Sequence, residues 1–265
     1  MRVELNKRWP WMKFALPILV AGLVILNLEG VFRREIGESE EIIPETPFSR
    51  QAKVPDRIFR RSIDGKKLVA LTFDDGPGAE TTPRLLDILK EKSVPATFFE
   101  LGYKMRNNPE ISKRAEEEGH EVGSHTMWHQ NLVRVSGAGI TDDINEAKQV
   151  FRETLGREVG IMRLPYGNSN ALVAGIAGVP LLYWSVDTRD WDVLNAEIVE
   201  NNAIGAAFDG AIILMHDIYG STVDAVPGII DRLRQEGYEF VTITELATLR
   251  GVTLQNGETY FSFKP

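Results

Sequence analysis

Two adjacent carboxylates, Asp74 and Asp75, end the apolar run LVALTF and precede the breaker cluster Gly76-Pro77-Gly78. Charge at the end of an apolar strand is costly unless something pairs with it. His125 and His129 stand four residues apart, a spacing that puts both imidazoles on one side of a helical turn. Two such imidazoles and one carboxylate make a three-ligand metal set with positions left open for water and substrate. One aspartate of the pair would complete that set. The other would stay free as a base beside the attacking water, paired with a cation such as Arg163. Asp187, Asp190 with Trp191, and His216 with Asp217 add further ionisable groups after other apolar runs. Each feature has a bland reading by itself: Asp-Asp-Gly-Pro favours turns, and a single histidine is more often a satisfied core residue than a ligand. The joint pattern is what carries weight.

The elements that must position these groups alternate. Strands are expected at 67–73, 94–99, 120–124, 160–163, 181–186, 211–215 and 238–242. Between them, Thr82 caps a helix that has Pro83 at its first position and Leu85, Leu86 and Leu89 on one face. Asn108-Pro109 opens a second helix. Thr141 caps a third, with Ile144, Ala147, Val150 and Leu155 inward and Gly156 at its end. A fourth runs over 224–237, and a short one precedes Gly251. Alternating β and α units of this length argue for a parallel sheet covered by helices, and about seven units suit a barrel, whose functional groups gather at the strand C-termini. His125, Asp187 and His216 follow strands in this reading, and Arg163 ends one. His120 is read as structural, Asp142-Asp143 as favourable charge at a helix start, and Glu116-Glu117-Glu118 as a solvated helix face.

Bulk properties narrow the partners. The chain has 265 residues, a net charge of -8 and a pI near 5.2. This acidity argues against nucleic acid, which wants a basic face. With no cysteine, neither a disulfide framework nor a cysteine-ligated metal site is available. The first residues carry Arg2, Lys7, Arg8 and Lys13, followed by the apolar stretch 14–28 with Trp9 and Trp11 beside it. That reads as a short cytoplasmic N-terminus (1–13) and a single transmembrane anchor (14–28). The absence of a clear A-x-A-like site favours the anchor over a cleaved signal peptide. Residues 29–62, rich in Glu and Pro, read as a flexible linker. The catalytic domain would then be 63–265, extracytoplasmic and monomeric, with a weakly alternating tail over 252–265.

Thr72-Phe73-Asp74-Asp75-Gly76-Pro77, His125-Thr126-x-x-His129, Arg163-x-Pro165-Tyr166-Gly167, Asp187-x-x-Asp190-Trp191 and Leu214-x-His216 resemble, in order, the motifs of the polysaccharide deacetylases, carbohydrate esterase family 4 or the NodB homology domain. The resemblance covers about residues 65–250, and Leu164 departs from the Pro or Ala of many members. It implies a distorted (β/α) barrel and a divalent metal, zinc or cobalt. The implied reaction is hydrolysis of N-acetyl groups on GlcNAc- or MurNAc-containing polymers such as peptidoglycan or chitin-like chains. The same scaffold also implies an alternative, an O-acetyl esterase on xylan-like polymers or a hydrolase of a non-sugar amide. By resemblance Asp75, His125 and His129 hold the metal. Asp74 is the general base, oriented by Arg163, and His216 is the general acid, held charged by Asp190. The backbone N–H of Tyr166 joins in stabilising the oxyanion, while Trp191 and Leu214 wall the acetyl pocket.

Overall fold

A computed structural model describes residues 65–265. The expected N-terminus 1–13, anchor 14–28 and linker 29–62 lie outside the described residues. The first half holds β1 (Lys67–Gly76), α1 (Thr81–Lys92), β2 (Thr97–Glu100), α2 (Gly102–Asn107), α3 (Pro109–Glu117), β3 (Glu121–Ser124) and α4 (Gly137–Leu155). The second half holds α5 (Ala171–Ala177), β4 (Leu181–Leu182), β5 (Val186–Asp187), α6 (Asp190–Val193) and α7 (Ala196–Ala206). It continues through β6 (Ala211–His216), α8 (Gly220–Gln235), β7 (Tyr238–Phe240), α9 (Ile243–Leu249) and β8 (Thr259–Tyr260).

β1 is apolar on both faces, so it sits where both faces are covered. It is the centre of a six-stranded parallel sheet of order β3-β2-β1-β6-β5, with β7 paired to its first residues. A separate two-stranded pair, β4 with β8, is linked to β3 through Met162, which bridges Ser124 and Leu181. The expected ring of about seven strands is therefore a six-stranded sheet plus a small pair. The 160–163 segment contributes only the bridging residue Met162, and 181–186 is broken into β4 and the start of β5.

Successive side chains of a strand point to opposite faces, and β1 divides accordingly. Val69, Leu71 and Phe73 join a large core with Leu85, Leu86 and Leu89 of α1, Ile144 and Ala147 of α4, and Ile229 and Ile230 of α8. Leu68 and Ala70 join a second core with Phe99, Ile161, Leu182, Ile212 and Leu246. Fully burying each valine, leucine, isoleucine or phenylalanine of these stabilises by roughly 1.5–3 kcal/mol. On that second face the sequence Leu68, Ala70, Thr72, Asp74 turns from apolar to polar toward the C-terminal end. Ile212, Leu214, His216 on β6 do the same, in register, with Asp74 opposite His216. The strand ends thus make the polar rim that the sequence implied.

Several local expectations are corrected. Thr82 does not cap α1: the helix starts at Thr81, and the Thr82 hydroxyl instead accepts from the Gly78 N–H and donates to Asp217. Nor does Thr141 cap α4. Ser136 does, because its side chain accepts from the Gly139 N–H, while the Thr141 hydroxyl donates to the Gly137 carbonyl. Asp143 consequently lies in the second turn, buried, rather than at the helix start. Glu116 and Glu118 are not freely solvated, being paired with Arg157 and Arg114. α8 begins at Gly220 rather than 224, and α2, α5, α6 and α7 lie outside the expected helices; they are short or weakly patterned, with glycine, charge or polar residues interrupting their apolar periodicity. His120 is buried and its Nδ1 accepts from the Ala96 N–H, a structural role as expected. The tail gives β8 on β4, plus an antiparallel bridge from Ser262 to Ala211.

Candidate active site

The carboxylate pair is made by a bulge. The β1–β2 register shifts between Asp74 and Gly76, and Asp75 takes a positive φ of 70°. An inserted residue of this kind bends the strand and re-aims a side chain, so two neighbours that would point to opposite faces can serve one site. Gly76 permits the bend because a Cβ there would run into the Asp217 carboxylate. Asp74 is buried and accepts from Arg163 Nη1 at 2.7 Å. Arg163 is itself fully buried, and each of its three nitrogens donates. It donates also to Thr72 Oγ1 and to the carbonyls of Leu182 and Tyr183, each at 2.8 Å, and lies over the Phe99 ring. Burial raises the Asp74 carboxyl above its ordinary range, against the opposing charge and hydrogen bond of Arg163. Arg163 therefore orients Asp74 without making it a weak base.

The second cluster joins Asp75, His125 and His129. Asp75 Oδ1 lies 3.4 Å from His125 Nε2 and 3.2 Å from His129 Nε2, and one donor atom from each residue falls within 4.8 Å of the others. The segment from His125 to His129 is not the expected helical turn. It is irregular, with positive φ at Thr126 (70°) and His129 (56°), and these two reversals converge the imidazoles. His125 Nδ1 sits 2.7 Å from the Arg163 carbonyl. Only a protonated Nδ1 can make that bond, so Nε2 presents a lone pair to Asp75. Burial first, then the neighbouring positive groups, hold His125 neutral with a pKa near 3, despite the Asp75 charge. Asp75 Oδ1 is buried and has no hydrogen-bond donor. Lone pairs converging with no hydrogen between them fit a cation, and an N,N,O donor set suits a divalent ion of the zinc type.

The third group is His216 with Asp190. Asp190, fully buried at the start of α6, takes the His216 Nδ1–H at 2.8 Å and the His216 backbone N–H at 2.7 Å. Thr222 Oγ1 and the Trp191 N–H complete its shell at 2.8 and 3.0 Å. Burial opposes the imidazolium, but the Asp190 hydrogen bond and the charges of Asp190, Asp74 and Asp75 outweigh it, pushing His216 up to about 9. With Nδ1 occupied, Nε2 is the atom free to transfer a proton.

The remaining expected residues border this rim. Tyr166, at φ 62°, is exposed and its ring packs edge-on against His129 at 4.8 Å. Trp191 is about half exposed, beside Asp190, whereas Leu214 is buried two residues before His216 on the same face of β6. Asp187 ends β5 exposed, its carboxylate accepting from the Arg189 N–H, so it supports the 187–190 turn rather than the cluster. Sequence reasoning gave no role to Thr72, Thr222, Lys104 or Tyr219, and named Asp217 only as an ionisable group beside His216. Thr72 and Thr222 hold Arg163 and Asp190, and Lys104 Nζ donates to the Asp75 carbonyl at 2.8 Å. The Tyr219 ring lies 5.9 Å from that of His216. Asp217, pushed up to about 7 mainly by burial, anchors Thr82 behind the bulge. Nothing local in the sequence marks a threonine or a lysine as a support; only Asp217, beside a histidine at a strand end, carried a signal.

The fold and the donor set together define a class: an α/β protein with a candidate metal centre and a buried acid–base pair at the C-terminal rim of a parallel sheet. A family model described as polysaccharide deacetylase matches residues 61–178. Peptidoglycan-N-acetylglucosamine deacetylase PgdA of Listeria monocytogenes is 45% identical over 195 residues, covering 74% of this chain and 41% of its own length. This chain thus spans less than half of that relative. A peptidoglycan-N-acetylglucosamine deacetylase of Bacillus cereus is 37% identical over 191 residues, covering 69% of this chain and 89% of its own. Among solved structures, a family 4 acetyl xylan esterase from Clostridium thermocellum in complex with a cobalt ion aligns with a TM-score of 0.70 at 33% identity. That alignment covers 74% of this chain and 98% of the esterase. The chain belongs to the polysaccharide deacetylase family.

Proposed function

We propose that this protein is a metal-dependent hydrolase that removes N-acetyl groups from a GlcNAc- or MurNAc-containing polysaccharide, releasing acetate. One observation carries the reading: the convergent Asp75, His125 and His129 donors lie beside the buried Asp74–Arg163 pair, with His125 Nε2 3.9 Å from Asp74 Oδ2, and Asp74 stands in register with His216 of the charged His216–Asp190 pair on the adjacent strand. In this reading Asp75, His125 and His129 hold a divalent metal, zinc or cobalt. When bound, the metal supplies Lewis acidity toward the acetyl carbonyl and toward water. Asp74 accepts the proton of the attacking water, whose oxygen bonds to the carbonyl carbon. Its raised basicity suits that task. The Tyr166 backbone N–H donates to the oxygen that becomes negative. His216 Nε2 gives its proton to the sugar nitrogen as the C–N bond breaks, because an amine does not leave unprotonated. Asp190 keeps the imidazolium oriented, and Leu214 and Trp191 border the acetyl methyl.

Peptidoglycan is the proposed polymer, supported by the activities named for the Listeria and Bacillus relatives. The basic start and apolar stretch 14–28 support anchoring to a membrane with residues 63–265 outside it. A second reading, O-acetyl ester hydrolysis on a xylan-like polymer, is favoured by likeness to the xylan esterase. Acetate release from purified peptidoglycan, chito-oligosaccharides and acetylated xylan, with zinc added, separates the two. Release from the amide substrates by the wild type, and not by Asp74→Asn, is expected. Release from acetylated xylan alone would overturn the deacetylase reading.

A further inference from the structure

We propose that Asp143 of α4 is a positioning residue that locks the 125–129 turn in the conformation that points both imidazoles at Asp75. The proposal rests on the reading of Asp75, His125 and His129 as metal ligands. Thr126 and His129 both sit in the left-handed region, which residues bearing a Cβ occupy only when their surroundings over-determine it. Two of the three peptide units between these residues, 126–127 and 127–128, are gripped from two sides. On the carbonyl side, the Gly102 N–H donates to Thr126 O at 2.9 Å and the Tyr103 N–H to Met127 O at 3.3 Å, both from the start of α2. On the amide side, the Met127 N–H donates to Asp143 Oδ1 at 2.7 Å. The Trp128 N–H also favours the charged carboxylate, against the burial that opposes it.

Asp143 shares the inward face of α4 with Ile140, Ile144 and Ala147, where an apolar residue would pack, and is only 4% exposed. Its Oδ2 is buried without a hydrogen-bond partner. A carboxylate placed so expensively makes sense as an acceptor for amides that no helix or strand satisfies. Met127, the residue it holds, is fully buried, so the turn cannot relax outward without emptying that site. Asp143 touches neither the donor atoms nor the proposed substrate; it acts through the backbone between two ligands.

Zinc affinity of the full chain, measured by competition with a chelating dye, tests this without relying on turnover. Supports of metal ligands typically contribute about 10–100-fold in metal affinity. Asp143→Ala is expected to bind zinc at least about tenfold more weakly than the wild type. Asp143→Asn, which keeps the volume and one acceptor but loses the charge-assisted bond, is expected to fall between them. A residue that served only stability would lower the thermal midpoint of the metal-free protein while leaving the zinc affinity of the folded fraction unchanged. Wild-type affinity in whichever of the two variants folds would overturn the positioning role and leave the metal site standing. A wild type that binds no zinc would overturn the metal site, and the positioning role with it.

Discussion

Asp74 and His216 face each other across neighbouring strands in register, yet their environments push them to opposite duties. Asp74 keeps an oriented oxygen at a raised pKa, and His216 keeps its proton to about pH 9. Asp74→Asn removes the proposed proton acceptor and leaves Asp75, His125 and His129, the candidate metal donors, in place. We expect kcat for acetate release to fall by about 10²–10⁴-fold while bound zinc, measured by elemental analysis, stays stoichiometric. His216 must be protonated to act as the acid, so activity should decline as pH rises through about 9. Asp190→Asn takes away the partner that sustains the charge, and its alkaline limb should move down by about one unit or more. The sign of the stability effect follows from the same raised pKa. The pair's contribution is fully present below 6.5, the unfolded value, and is lost as pH climbs through about 9.

Among the elements, the two ends of β1 do different work. Its C-terminal end carries the bulge, and its N-terminal end pairs with β7 and packs beside α9. Gly76→Ala would drive a Cβ into Asp217, a collision that typically costs about 1–3 kcal/mol. Because the strain falls on the residue after Asp75, the variant should lose both stability, read by urea denaturation, and zinc affinity. At the far end Thr242 and Glu245 form a reciprocal cap on α9. Thr242→Ala should cost about 1 kcal/mol by the same denaturation measurement, with kcat and KM for acetate release unchanged. The contrast separates loss of fold from loss of site.

For the whole molecule, the two cores lie below the rim, and the candidate metal centre lies above them. Stripping the metal with a chelator should therefore abolish acetate release while leaving the far-ultraviolet circular dichroism spectrum unchanged, and added zinc should restore activity. Unfolding on chelation would mean the ion holds the fold rather than the chemistry. The parallel α/β class, the apolar β1 and β6, and the set of ionisable groups at strand ends are legible in the sequence. Apolar runs, breakers and charges are local properties, and a strand that ends in Asp74 or His216 declares both its burial and its rim. The ordered motifs that mark the family are legible there as well. Tertiary structure alone decided how those groups meet. The His125–His129 spacing suggested a helical turn, but left-handed residues at Thr126 and His129, held from α2 and α4, converge the rings instead. Asp75 reaches the site through a bulge whose Gly76 is packed against Asp217, more than a hundred residues away in the chain. Thr72, Thr222 and Asp143 look ordinary in sequence because their work is to satisfy hydrogen bonds of residues distant in the chain. Periodicity records which side of an element is buried; it does not record which backbone amide arrives there from elsewhere.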